Sequence, residues 1–206
     1  MAKTLRTLTQ ILFLLLFIML VITGKIQIWM GIFLLSFILA LFLGRFYCSW
    51  LCPINMVMNM VTKVKIKFHL KSIPVPQFIK KPLPRYGMLI AFILAFAFVM
   101  ASSRKFPILP TLFAVGVILT AFFPENLWHR LCPYGTILHA IGKLSKRSYS
   151  INDSLCISCG ICYRVCPSDA IQMNENSRKK YSINRSECLV CGKCAEVYPK
   201  NVIRYQ

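Results

Sequence analysis

Seven of this chain's ten cysteines lie from Cys156 onward. They stand as Cys156-Ile-Ser-Cys159-Gly-Ile-Cys162-x3-Cys166-Pro167 and Cys188-Leu-Val-Cys191-Gly-Lys-Cys194-x3-Tyr198-Pro199. Thiolates are soft ligands, and two C-x2-C-x2-C runs at this spacing are the ligand pattern of paired iron–sulfur clusters. Such clusters pass single electrons, so one-electron redox chemistry is the expectation. Two structural zinc knuckles are the alternative, since four thiolates also satisfy a tetrahedral zinc ion.

A cubane core needs four thiolates. Each run supplies three from a tight loop in which Gly160 or Gly192 lets the backbone wrap closely. In two-cluster ferredoxins the last cysteine of a run ligates the other cluster. Cys188, Cys191, Cys194 and Cys166 are therefore expected to hold one [4Fe–4S] cluster. Cys156, Cys159 and Cys162 look to position 198 and meet Tyr198. That set is expected to hold a [4Fe–4S] or a [3Fe–4S] cluster, with Tyr198 itself a candidate ligand.

The elements that position these loops follow from charge and hydropathy. The chain has 206 residues, is 57% hydrophobic and carries a formal charge of +19. All six acids lie at Glu125 or beyond, so the chain up to Pro124 holds 13 Lys and Arg and no acid. Charge-free apolar runs cover Thr7–Gly24, Ile26–Gly44, Tyr86–Ser103 and Phe106–Pro124. Each is about the ~17–25 residues that a helix needs to cross a bilayer. Lys25 and Arg104-Lys105 make short turns, giving two helical hairpins. The segment Arg45–Arg85 carries eight basic residues against three in those turns. By the positive-inside rule both termini and the cysteine-rich tail face the cytoplasm, in an inner membrane crossed several times. Reduced thiolates need the same compartment. A signal peptide is the other reading of Met1–Gly24, but no small-x-small cleavage site follows and a second span begins at once. Basic residues beside apolar spans point to anionic lipid rather than nucleic acid.

A shift by the interval between Cys52 and Cys132 aligns Lys25 with Lys105, Phe33 with Phe113, Leu51-Cys52-Pro53 with Leu131-Cys132-Pro133 and Lys63 with Lys143. The repeat units cover about 6–71 and 86–151, each a hairpin, a Cys-Pro and a helix begun by the proline. Both run in the same sense, which sets a pseudo-twofold axis along the membrane normal and brings Cys52 near Cys132. Cys48 and Cys52 share a helical face if their stretch is helical. With Cys132 they are candidates for a third iron–sulfur centre at the membrane boundary, and His129 is the candidate fourth ligand. Buried cysteines packing as small apolar residues are the alternative. Trp128 takes the place of Cys48 in the second unit. His139, aligned with Asn59, reads as a polar interface residue. Lys63–Lys71 alternates basic and apolar residues and predicts a short amphipathic strand. Pro74–Pro84 reads as an extended linker.

Gly44-Arg-Phe-Tyr-Cys48-Ser-Trp-Leu-Cys52-Pro53, the second Cys-Pro and the two-cluster tail together resemble the membrane-bound 4Fe-4S proteins related to NapH and the C-terminal part of NosR. The resemblance covers nearly the whole chain. It implies an integral membrane electron-transfer protein with a cytoplasmic two-cluster domain and a pair of C-x3-C-Pro motifs. With the hydropathy reading, the expected fold is a mainly α membrane protein with four transmembrane helices over 1–150 and a small α+β ferredoxin domain over 151–206. The leading functional expectation is electron relay between a cytoplasmic donor or membrane quinol and a partner redox enzyme. The other reading is a redox assembly or regulatory factor that reduces a metal, thiol or cofactor of a partner. The resemblance carries over to Cys48, Cys52, Cys132 and the seven tail cysteines, whereas Trp128 and Tyr198 depart from it. No nucleotide loop, flavin fingerprint or nucleophile–base pair is visible. An electron-transfer subunit without an active site of its own is therefore expected.

Overall fold

The computed structural model describes residues 2–101, 108–145, 147–173, 181–198 and 202–206. The turn Arg104-Lys105, the adjoining ends of two apolar runs, and Pro199 lie outside them. The described part is mostly helical. In chain order come α1 (Ala2–Ile22), α2 (Gln27–Leu43), α3 (Phe46–Trp50), α4 (Pro53–Lys67), α5 (Gln77–Lys80), α6 (Pro82–Ala101), α7 (Ile108–Phe122), α8 (Glu125–Leu131) and α9 (Pro133–Gly142). The tail adds β1 (Tyr149–Ile151), α10 (Ile161–Arg164), β2 (Ile171–Met173), β3 (Tyr181–Ile183), α11 (Lys193–Glu196) and β4 (Ile203–Tyr205).

Among the described residues, two helices contain stretches long and apolar enough to cross a membrane, Lys3–Ile22 and Pro82–Val99. The described parts of the apolar helices α2 and α7 are shorter, at 17 and 15 residues. Leu12, Leu15 and Ile22 on α1, and Leu94 and Phe98 on α6, present large exposed side chains. Apolar surface of this extent suggests membrane association.

Both Cys-Pro junctions break helices for a physical reason. A proline disfavours helical backbone in the residue before it, so Cys132 leaves the helical region (φ −56°, ψ 122°) and α9 starts afresh at Pro133. Cys52 likewise follows α3 and precedes α4. Cys48 lies inside α3 and Cys52 beyond its end, so the two do not share one helix.

By its internal contacts the chain divides into two compact units, 1–52 with 138–206, and 53–137. In the second unit α4 packs on α7. There Lys65, buried, donates from Nζ to the carbonyls of Thr120 and Phe123, both at 3.0 Å. An ammonium at a helix C-terminus satisfies carbonyls that have no intrahelical partner. Burial pushes the pKa of Lys65 down, against the pull of Glu125. This contact explains why the expected strand over Lys63–Lys71 is not one: α4 runs to Lys67, turning Lys65 inward. Pro82 likewise begins α6 instead of extending a linker. Trp128 is buried against Gly116, where an added Cβ would sit 2.8 Å from its ring. The ring thus uses the space that a glycine leaves; the first unit has Ser36 and Cys48 at the corresponding positions.

In the first unit, α1 turns Arg6 and Gln10 inward, four residues apart and therefore on one face. Gln10 donates to the Ser49 carbonyl at 2.6 Å. Phe17 and Trp29 meet edge to face, and the Trp29 indole donates to Tyr47 Oη at 3.0 Å. The tail of this unit is an α+β fold with a second, shorter internal repeat. Tyr149-Ser-Ile-Asn152 returns as Tyr181-Ser-Ile-Asn184, and Cys156 as Cys188. Each half is strand, helix, strand, and the halves exchange strands: β1 pairs antiparallel with β4, and β2 with β3. Matching bonds run from Asn152 N to Val202 O and from Asn184 N to Ala170 O, both at 2.7 Å.

Candidate iron–sulfur site

Each cysteine loop is wrapped by two residues in the left-handed region. Ser158 (φ 58°) and Gly160 (φ 73°) shape the first, and Val190 (φ 55°) and Gly192 (φ 72°) the second. For a β-branched residue such as Val190 this conformation is rare and costly, which marks the loop as shaped by what it surrounds. Tyrosines from the exchanged strands close the loops. A Cβ on Gly160 would lie 2.8 Å from Tyr181 Oη, and one on Gly192 2.9 Å from Tyr149 Oη.

The strand exchange carries Cys166 out of its own run. Cys166, Cys188, Cys191 and Cys194 line one pocket with about 320 Å³ of atom-free space, part of it open to solvent. Its other walls include Tyr149, Ala170, Ile171 and Ile183. The thiols feel one another. Burial, then mutual repulsion with Cys188 and Cys166, holds Cys191 up at about 11 although nearby Lys193 opposes the shift. Cys194 is pushed further up by burial and then by Cys191, Cys188 and Cys166. Cys188 is raised by burial, with the Arg45 guanidinium pulling the other way. Burial and these same thiols push the Tyr149 hydroxyl up to about 12. Buried thiols raised in this way, gathered with Cys166 around one pocket, are a donor set that calls for a cationic core. Backbone N–H groups also aim at sulfur, as Ala170 N does at Cys166 Sγ, 3.3 Å away. The residues present fit a cubane iron–sulfur cluster.

In the other set, burial raises Cys162, and Cys156 and Cys159 add to the shift. Cys159 is exposed. Tyr198 packs on the small core built around Cys162, Ile171, Val202 and Ile203. Among the described residues, no three His, Cys, Asp or Glu side chains converge on a single-ion site. Cys48 is buried on α3 and Cys52 half-buried after it; Cys132 and His129 are buried in the other unit.

Three side chains far away in sequence grip the second loop. Arg6 Nη1 donates to the Cys191 carbonyl, and Arg6 Nη2 pairs with Glu196 at 3.1 Å. Trp50 Nε1 donates to the Val190 carbonyl at 3.3 Å. Arg45, with no exposed side-chain surface, pairs with Glu187 Oε2 at 3.2 Å. Glu187 Oε1 lies 3.3 Å from His139 Nδ1, which is also 3.0 Å from the Ser186 carbonyl. A carbonyl only accepts, so Nδ1 carries a proton there. His139 is thus a polar interface residue. Arg6, Arg45, Trp50, Glu187 and the two loop tyrosines escape a reading centred on cysteine spacing. The return of Tyr-Ser-Ile-Asn is the signal that finds the tyrosines.

Comparisons with known proteins agree with this chemistry. The family described as "4Fe-4S binding domain" matches residues 26–71 and again 106–152. The two matches start at Ile26 and Phe106, which the longer internal repeat places in register. The family described as "4Fe-4S dicluster domain" matches 155–202. A similar protein of Escherichia coli (strain K12), named "Putative electron transport protein YccM", is 42% identical over 60 residues. That stretch covers 28% of this chain and only 17% of the relative. No solved structure matches. The chain carries ferredoxin-type 4Fe–4S domains.

Proposed function

We propose that this chain is an integral membrane iron–sulfur protein that relays single electrons between a cytoplasmic donor or membrane quinol and a partner redox enzyme. The pocket of four thiols, docked through Trp50 onto the helix of Cys48, is the observation that carries this reading. An iron–sulfur cluster supplies one-electron redox capacity when bound. Cys166, Cys188, Cys191 and Cys194 hold a [4Fe–4S] cluster; Cys156, Cys159 and Cys162 hold the other, whose open position faces Tyr198. The first lies nearer the membrane segments, because Arg6, Arg45 and Trp50 hold its loop. Trp50 then offers a route from the Val190 carbonyl toward Cys48 on the same helix.

The membrane portion is two hairpins of four spans over 1–150, with both termini and the ferredoxin domain of 151–206 in the cytoplasm. The motif resemblance to the membrane-bound 4Fe-4S proteins related to NapH and the C-terminal part of NosR supports this reading. The name of the Escherichia coli relative supports electron transport as the function class. The test is reduction kinetics of purified protein in lipid with ferredoxin, flavodoxin or quinol. Fast repeated turnover with one donor is expected. Slow reduction by all three would favour a factor that reduces a partner's metal or thiol instead.

A further inference from the structure

The two halves of the ferredoxin domain have the same architecture but not the same surroundings. Leu189, in the second loop, is 2% exposed, and its counterpart Ile157 in the first is 76% exposed. The substitutions between the halves account for which loop docks within the chain. Glu187 and Glu196, the carboxylates that meet Arg45 and Arg6, are replaced in the first half by Leu155 and Arg164. The basic N-terminal region would find no anion on the first loop and would repel Arg164. Two glutamates thus orient a pseudo-symmetric domain, and the first loop is left facing outward. Its exposed rim is apolar, with Leu155, Ile157, Ile161 and Tyr163 around the exposed Cys159, and Arg164 lies at its edge.

We infer that this face, Leu155–Arg164, is the docking surface for a small soluble electron carrier with an acidic surface. The inference rests on the electron-transfer reading above. An apolar centre with a charged edge is the anatomy of a transient protein interface. The chain's charge of +19 attracts an acidic partner over distance, and Arg164 offers the local contact that fixes its register. Docking here brings the carrier to Cys159, and the crossing of Cys166 into the other set connects the outer site with the inner one.

The experiment uses the full chain, loaded anaerobically and held in nanodiscs of zwitterionic lipid, with a small acidic [2Fe–2S] ferredoxin as probe. Arg164→Glu and Ile157→Glu should each weaken binding at least about tenfold. Lys71→Glu, exposed and outside the patch, removes the same charge as Arg164→Glu and should change binding by about twofold at most. Amide exchange over 155–164 should slow when the probe is added. Equal losses in Arg164→Glu and Lys71→Glu would show mere charge attraction and overturn the inference. Slowed exchange with anionic vesicles and none with the probe would give the face to the membrane instead. Paramagnetic resonance of the dithionite-reduced wild type checks the electron-transfer reading separately. A silent wild type would sink both, whereas binding indifferent to Arg164 and Ile157 sinks the docking surface alone.

Discussion

Removing the Arg45 guanidinium should cost far more than removing a surface charge. Its side chain has no exposed surface, and that of Glu187 is only 11% exposed. Arg45→Met leaves a buried carboxylate without its guanidinium partner. Breaking a buried pair from one side costs about 3–5 kcal/mol, because the other charge stays desolvated. For a chain of this size each kcal/mol moves the unfolding temperature by about 2–4 °C, so a fall of about 6–20 °C is expected. The assay is thermal unfolding of anaerobic, detergent-solubilised protein at a fixed scan rate, followed by circular dichroism and by visible absorbance. Adding Glu187→Leu, the residue that the first half carries at this place, removes the stranded charge and should restore more than half of the loss. A single-variant loss below about 1 kcal/mol, the range of an exposed pair, would refute the reasoning. So would a double variant no more stable than the single.

Cys166→Ser should abolish the resonance signal of the centre bound by Cys188, Cys191 and Cys194 and spare that of Cys156, Cys159 and Cys162; the reverse would overturn the crossover. Tyr198→Cys should convert an air-oxidised [3Fe–4S] signal into a centre visible only on reduction and raise iron by about one per chain; unchanged spectra would leave Tyr198 as packing only. Gly116→Ala should destabilise by about 1–3 kcal/mol in thermal unfolding, since its Cβ would meet Trp128 at 2.8 Å. Cluster-free protein should lose stability in denaturant titrations as pH rises from about 9 toward 11. In that window the folded chain keeps protons on Cys191 that the unfolded chain releases, so unfolding becomes easier with rising pH. A phosphatase fused after Gln206 should be inactive; high activity there with low activity at Lys25 would reverse the orientation.

The part of the site that rests on local spacing was readable before any fold. Cysteine intervals report loop geometry directly, and a Cys-Pro step forces a helix break whatever surrounds it. The crossover of Cys166 is an expectation from the pairing of two runs, and the structure adds only that Cys166, Cys188, Cys191 and Cys194 line one pocket. The docking of the second loop was not readable, because its contacts join residues some 140–185 positions apart. Arg6 looks like one more basic residue before an apolar run; only the fold turns it toward Cys191. Lys63–Lys71 misleads for a related reason. Alternation suggests a strand, but the carbonyls at the end of α7 reward a buried ammonium, so Lys65 faces inward on a helix. Glu187 was visible only as a break in the shorter repeat, which becomes evident once β1 and β3 are seen to correspond.

The measurement that bears most directly on the central claim is metal and sulfide content with paramagnetic resonance, on anaerobically purified full-length protein. At least about seven irons per chain, with acid-labile sulfide in similar amount, are expected from one four-iron and one three- or four-iron centre. Dithionite should bring out a reduced [4Fe–4S] signal that disappears in Cys166→Ser. Stoichiometric zinc without sulfide, or protein that stays silent on reduction, would contradict the assignment of the cysteine loops to electron transfer.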